Sequence, residues 1–267
     1  MENPRAETPW WALRYEAIAK VDVAFAGAVD SHAEAQVDFA QRLLGLEEGD
    51  RVVDVGCGGE RHAILLQERG FEVTGVDLSP RLLRIARQNW EARNGSRPGP
   101  TWMPGDMRWM PSSGAPFDAA IFMDHSFGMF DDDADHLRAL ASLIDQLHGR
   151  GRVVFELLNP YYWSQHNVTR HFPPGAISAD HDVVRSYRFD ATRGRVEDRV
   201  QVFGPSGRHE LPVQTLRAWT PPELVSLFRA AGLRNVRLYG SDGWDVPEDP
   251  IPVHPEESVW LWAAAEL

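Results

Sequence analysis

Val53-Asp54-Val55-Gly56-Cys57-Gly58-Gly59 sets three glycines where a short apolar run gives way to a helical pattern, and that junction narrows the folds open to the chain. The run at 51–55 reads as a buried strand. Glycines after it let the backbone approach a ligand, and the helix that follows offers N–H groups at its N-terminus. Around this junction the chain alternates. Ser31-His-Ala-Glu34 has the form of a capping box, with Val37, Ala40, Leu43 and Leu44 spaced for one helix face. A helix at about 60 to 69 is expected after the glycines. Then come a strand at 72–76, a helix opened by Ser79-Pro80, a strand at 118–123, a helix at 131–148 and a strand at 152–158. Thr220-Pro-Pro-Glu223 opens a later helix ending at Gly232, with strands near 233–239 and 257–264. Strands alternating with helices predict an α/β fold: a doubly wound, mostly parallel sheet covered on both faces.

One stretch breaks the alternation. Between 159 and 217 the pattern turns to period two, at Val183 to Phe189 and Arg195 to Phe203, with Gly194 and Gly207 as turn residues. This predicts an antiparallel insertion after the fifth strand. The expected division is an N-terminal lid segment 1–30, a core of 31–158 and 218–267, and an inserted substrate lid at 159–217.

Composition removes several function classes. With 39 acidic against 27 basic residues the net charge is −12, which repels a phosphate backbone and argues against nucleic acid as partner. The one cysteine, Cys57, excludes a disulfide framework and a zinc site built on several thiolates. No run reaches the roughly 18 apolar residues of a membrane span, and the first residues lack the layout of a signal peptide, so a cytoplasmic chain without a membrane partner is expected.

Two acids give the glycine junction its meaning. A dinucleotide loop would place glycines at 56, 58 and 61, but position 61 is Arg61. Asp77, 23 residues after Asp54, ends the second strand, where a carboxylate can accept from both hydroxyls of a ribose. Asp106, in Gly105-Asp106-Met107, follows the third strand, where it can accept from an adenine amino group while Met107 packs on the ring. Singly, either acid reads as well as a helix cap or a turn residue. Together with the loop they describe a pocket for an adenosine with a cationic, non-phosphate tail.

Val52-Val-Asp-Val-Gly-Cys-Gly58, Gly70-Phe-Glu-Val-Thr-Gly-Val-Asp-Leu-Ser79, Gly105-Asp-Met-Arg108, Phe117-Asp-Ala-Ala-Ile121 and Ala230-Ala-Gly-Leu233 make the chain resemble the class I S-adenosylmethionine-dependent methyltransferases over roughly 31–158 and 216–264. The resemblance implies a Rossmann-like seven-stranded sheet and S-adenosyl-L-methionine as cofactor. It implies Asp54, Gly56, Cys57 and Gly58 at the methionine end, Asp77 at the ribose, Asp106 and Met107 at the adenine, and Leu78 and Asp124 as further cofactor contacts. The family usually has a third glycine where this chain has Glu60, which would either crowd the cofactor's carboxylate or turn away toward Arg61.

Methyl transfer is an in-line displacement, so alignment and exclusion of water come first and a base second. His125, in Met123-Asp-His-Ser-Phe-Gly128 just past the fourth strand, is the first candidate for a near-neutral base; the alternative is that His125 or Asp124 fixes the loop or touches the cofactor. His62 is expected to be structural or a cofactor neighbour. Trp11, Tyr15, Phe127, Tyr161 and Trp163 are candidate walls for a small-molecule acceptor, as are Trp10, Phe130 and Trp219, with core packing as the alternative for each. Asn159-Pro-Tyr-Tyr162 is similar to the Asn-Pro-Pro-Tyr loop of amino-methyltransferases acting on DNA, but follows the wrong strand. His166, His171, Asp180, His181 and Asp182 have no metal-ligand spacing, so no metal is expected and a solvated or substrate-facing role is. The expected acceptor is a metabolite, methylated on oxygen or nitrogen, in bacterial specialised metabolism. A protein or nucleic-acid acceptor and a non-methylating protein on the same fold are the alternatives, and self-association is left open.

Overall fold

The computed structural model describes residues 13–14, 17, 31–59, 61–174, 180–205 and 207–267. Trp10, Trp11, Tyr15 and Glu60 lie outside the described residues. Helix α1 (Ser31–Leu44) precedes β1 (Arg51–Val55), α2 (Arg61–Glu68), β2 (Glu72–Asp77), α3 (Pro80–Asn94), β3 (Thr101–Pro104), β4 (Phe117–Phe122), α4 (Asp133–Ile144) and β5 (Leu147–Leu158). The core resumes with α6 (Pro221–Ala230), β11 (Arg234–Gly240) and β12 (Trp260–Glu266). Their seven strands form one sheet in the order β11-β12-β5-β4-β1-β2-β3, parallel except for β12, which runs antiparallel to both neighbours. This is the doubly wound, Rossmann-like sheet expected, with helical caps where the sequence puts them: the Ser79 hydroxyl accepts from Leu82 N, and Thr220 and Glu223 close a capping box.

Two boundaries differ from expectation. The helix expected over 131–148 stops at Ile144, because Leu147 already begins β5, whose first turn carries the exposed His148, Gly149 and Arg150 beside a register irregularity against β4. Asn159-Pro160 opens a short helix, α5 (Pro160–Gln165). The Asn159 carbonyl oxygen accepts from Tyr161 N while its amide donates to Ser258 O at 2.7 Å, so this tetrapeptide is a helix cap tied to the end of the chain.

Residues after α5 build a second, antiparallel sheet. Strands β6 (Val168–Phe172), β7 (Asp182–Asp190), β8 (Arg195–Gly204) and β10 (Gln214–Arg217) lie in the order β10-β8-β7-β6, and β9 (Gly207–Glu210) pairs with β8. The histidine-rich stretch supplies β6, where His171 pairs with Asp182 of β7. This sheet stands on the loop that follows β4. Arg195, buried, donates to Phe130 O at 2.8 Å and Thr215 O at 2.8 Å, and Arg217 N donates to Gly128 O at 2.7 Å. It is also clasped from the N-terminal side. Arg14, helical and buried, reaches Asp198 of β8 at 2.8 Å and Pro212 O at 2.8 Å, while Arg185 of β7 binds the same carboxylate at 3.0 and 2.8 Å. Between the layers Phe122, Phe127 and Phe155 pack with Trp219 and His136. No described helix is long and apolar enough to cross a membrane.

Asp198→Ala removes the shared carboxylate and leaves buried guanidinium groups without it, a change that costs about 3 to 5 kcal/mol in comparable buried pairs. Urea unfolding is expected to show a loss of that size; an unchanged midpoint would mean that the clasp contributes nothing to the fold.

Candidate functional site

Polar side chains gather at the carboxyl ends of β1, β2, β4 and β5. The glycine loop leaves β1 with φ of +74° at Gly56 and +54° at Gly58, and it is stitched to β2: Gly56 N and Cys57 N both donate to Val76 O, at 2.8 and 3.1 Å. The N–H groups of positions 56 and 57 are therefore already used within the sheet. Cys57 turns its sulfur inward against Gly75, so it shapes the loop from behind and offers the open side neither thiol nor amide hydrogen. At Gly58 a Cβ would meet no atom of the described residues within 4 Å, whereas at Gly56 it would meet the Ser126 Cβ at 2.8 Å. The loop thus faces open space at Gly58 and the β4 turn at Gly56, while Asp54 is buried within β1.

Asp77 closes this space. Its carboxylate accepts from Gly58 N at 2.9 Å and Ser79 N at 2.8 Å, and burial raises its pKa, opposed by those two hydrogen bonds. A carboxylate has capacity for about four hydrogen bonds, so two acceptor positions remain for hydroxyls. Leu78 is exposed beside it, and Met107 packs toward Gly56. Asp106 differs from expectation. Arg108 spans both its oxygens, with its closest contact at 2.7 Å, and reaches Asp135 at 2.8 Å, so a local guanidinium rather than an open acceptor faces this carboxylate.

The turn after β4 is strained and anchored. Asp124 and His125 have φ of +48° and +60°, left-handed values that non-glycine residues adopt at a cost of order 1 kcal/mol or more each. Asp124 N donates to Glu156 Oε2 at 2.9 Å, and its carboxylate pairs with Arg61 and accepts from Gln36 at 3.1 Å. Asp124 is therefore committed to α1 and α2. Gln36 is the hub: its amide also donates to Glu156 at 2.8 Å, and its oxygen accepts from His62 Nε2 at 2.8 Å. Burial, reinforced by Arg61, holds the His62 pKa well below its ordinary value, so the ring is neutral.

His125 sits at the edge of this network, its Nδ1 3.4 Å from Glu156 O and its ring 4.7 Å from that of Trp260. A near-neutral base is not what results. Burial and the Arg185 cation push its pKa down to about 4, leaving a neutral imidazole at physiological pH. Glu156, which sequence reasoning missed, has the raised group: burial lifts it from its ordinary 4.5 to about 7, against the Gln36 hydrogen bond and Arg61. Its signal was an acid inside the apolar run Val153-Val-Phe-Glu-Leu-Leu158.

The candidate acceptor walls divide. Phe127 is a core residue, 1% exposed and packed on Phe122, Phe155 and Trp219, and Phe130 and Trp219 are likewise buried. Tyr161 is exposed on α5. Trp163 is buried, donates to Val259 O and belongs to a cluster with Tyr187, Trp244 and Trp260 that continues to His125. Tyr187, Trp244 and Trp260 carried no local motif.

Residues 52–151 match a family described as a methyltransferase domain. A malonyl-[acyl-carrier protein] O-methyltransferase of Serratia marcescens is 33% identical over 106 residues, 39% of this chain and 39% of that protein. The chain spans well under two thirds of the curated relatives first matched. Among solved structures, the CcbJ methyltransferase of Streptomyces caelestis superposes with a TM-score of 0.74 at 16% identity, covering 96% of this chain and 97% of that one. CalS10 of Micromonospora echinaspora, an amino pentose methyltransferase solved with S-adenosylmethionine, superposes at 0.61 and 22% identity over 100% of both chains. These two establish a shared fold.

The raised Glu156 pKa makes a stability prediction. Between about pH 4.5 and 7 the folded chain keeps a proton that the unfolded chain has lost, so stability falls as pH rises through that window and is flat above it. Glu156→Gln should remove this loss, its stability relative to the parent rising by about 3 kcal/mol from pH 4.5 to pH 8. Unfolding curves at both pH values check it; parallel behaviour of the two proteins would mean that Glu156 titrates normally.

Proposed function

From a class I, S-adenosylmethionine-dependent methyltransferase domain across residues 52–151, we infer that the whole chain methylates oxygen or nitrogen of a small-molecule acceptor. The observation that carries this reading is Asp77, a desolvated carboxylate fixed by two loop amides beside the open face of Gly58. Its remaining acceptor positions suit two ribose hydroxyls. Leu78 and Met107 would flank the adenine, and the space at Gly58 would admit the methionine end. When bound, the cofactor supplies an electrophilic methyl on a sulfonium.

The chain's own groups would do the rest. The neutral His125 imidazole orients an acceptor hydroxyl or amine without competing as a cation, and the aromatic cluster from Trp260 to Trp163 keeps water from the displacement. The second sheet, held over the β4 turn by Arg195 and Arg217, would be the lid over the acceptor. An amino pentose methyltransferase with the same fold along its full length supports a metabolite acceptor of specialised metabolism, and the net charge of −12 weighs against nucleic acid.

Calorimetric titration with S-adenosylmethionine should show binding, and Asp77→Ala should weaken it by about 1.5 to 3 kcal/mol for each ribose bond lost. A folded Asp77→Ala protein with unchanged affinity would refute the placement. Incubation with a metabolite panel should give a product heavier by one methylene; cofactor binding without any product would favour a non-methylating role.

A further inference from the structure

One face of the second sheet carries an arrangement that the cofactor site does not use. Arg170 of β6 and Arg185 of β7 are register partners, side by side on one face of an antiparallel pair. Like charges directly opposite one another destabilise a sheet, so such a pair needs an answering anion. Arg185 is answered by Asp198, which it shares with Arg14. Arg170 is answered by ring faces, its guanidinium 4.7 Å from the centroid of Trp244 and 5.1 Å from that of Phe172, with no carboxylate within 4.0 Å among the described residues.

Both arginines lead back to the β4 turn. Trp244 packs on Trp260 at 5.2 Å, and Trp260 on His125 at 4.7 Å. Arg185 lies over Tyr187 at 4.9 Å, and its charge acts on the His125 ring. A molecule bridging from the arginine pair to His125 would therefore run along the faces of Trp244 and Trp260, with a cation at one end and a neutral imidazole at the other.

We propose that the acceptor of this enzyme carries a carboxylate, held by Arg170 and Arg185, on a flat apolar body lying against Trp244 and Trp260. A planar guanidinium fork matches a carboxylate edge on, and the indole faces suit an aromatic or unsaturated body. A cationic or neutral sugar would leave Arg170 with ring faces alone and no carboxylate among the described residues. The proposal rests on the acceptor reading above, deepens it to a substrate class, and is separable from it because cofactor binding is measured on its own.

The experiment uses the full chain saturated with S-adenosylhomocysteine. Benzoate, 4-hydroxybenzoate, anthranilate and phenylacetate are each titrated beside the corresponding primary amide, with the parent protein, Arg170→Gln and Arg185→Gln. At least one acid should bind the parent about 10- to 10²-fold more tightly than its amide, and both variants should lose that preference while keeping their affinity for S-adenosylhomocysteine. Arg170 is exposed and without an ion pair among the described residues, so its variant keeps the test open if Arg185→Gln fails to fold. No acid preferred over its amide, or a preference that survives Arg170→Gln, would overturn the proposal. Failure to bind S-adenosylhomocysteine at all would instead overturn the methyltransferase reading.

Discussion

A parallel sheet buried on both faces leaves polar side chains little room except at the strand ends, and this constraint organises the molecule. The central strands are apolar along most of their length; Asp77, Asp124 and His125 stand at or just beyond their carboxyl ends, and Glu156 two residues before one. Any polar group withdrawn from water there must find a partner or incur a penalty of several kcal/mol. Gln36 answers several at once. A neutral amide both donates and accepts, so one side chain on α1 joins His62, Asp124 and Glu156 without adding a charge to the interior. The helices are thereby fixed to the sheet at the edge where ligands approach.

The alternation of strand and helix was legible because each signal is local. Ser79-Pro80 and Thr220-Pro-Pro-Glu223 state their caps within four residues, and the glycine loop announces its own bend. Asp77 was legible for the same reason, as the acid ending a strand at a fixed distance from the loop. What could not be read was tertiary. Nothing near His125 says that Arg185, sixty residues later, depresses its pKa, whereas the Arg108 pairing that occupies Asp106 is local, two residues away. Phe127 reads equally as wall or core until Phe122, Phe155 and Trp219 surround it. Glu156 leaves a visible trace in the sequence, an acid among apolar residues, but its raised pKa comes from burial by elements distant in the chain.

Strain and polarity coincide at the β4 turn. Two successive left-handed residues are held by a backbone N–H to Glu156, by the Arg61 pair and by the Ser126 hydroxyl donating to Val55 O at 2.9 Å. Several independent contacts over-determine the turn, which is how a sparsely populated backbone conformation persists. The result is a ring, His125, whose orientation is set by the scaffold rather than by its own rotamer freedom.

The reversed strand β12 has a consequence for how the protein is made. Because it runs against its neighbours, Trp260 at its start pairs with Leu158 at the end of β5 and comes to the ligand edge. A nascent chain emerges N-terminal end first. Until β12 has been synthesised, the long edge of β5 is an open template for pairing with other strands, and the aromatic cluster around Trp163 lacks its central ring. Assembly of the wall is thus a late event that also covers the β5 edge, so any slowing of synthesis between β5 and β12 prolongs the interval in which that edge is open to aggregation.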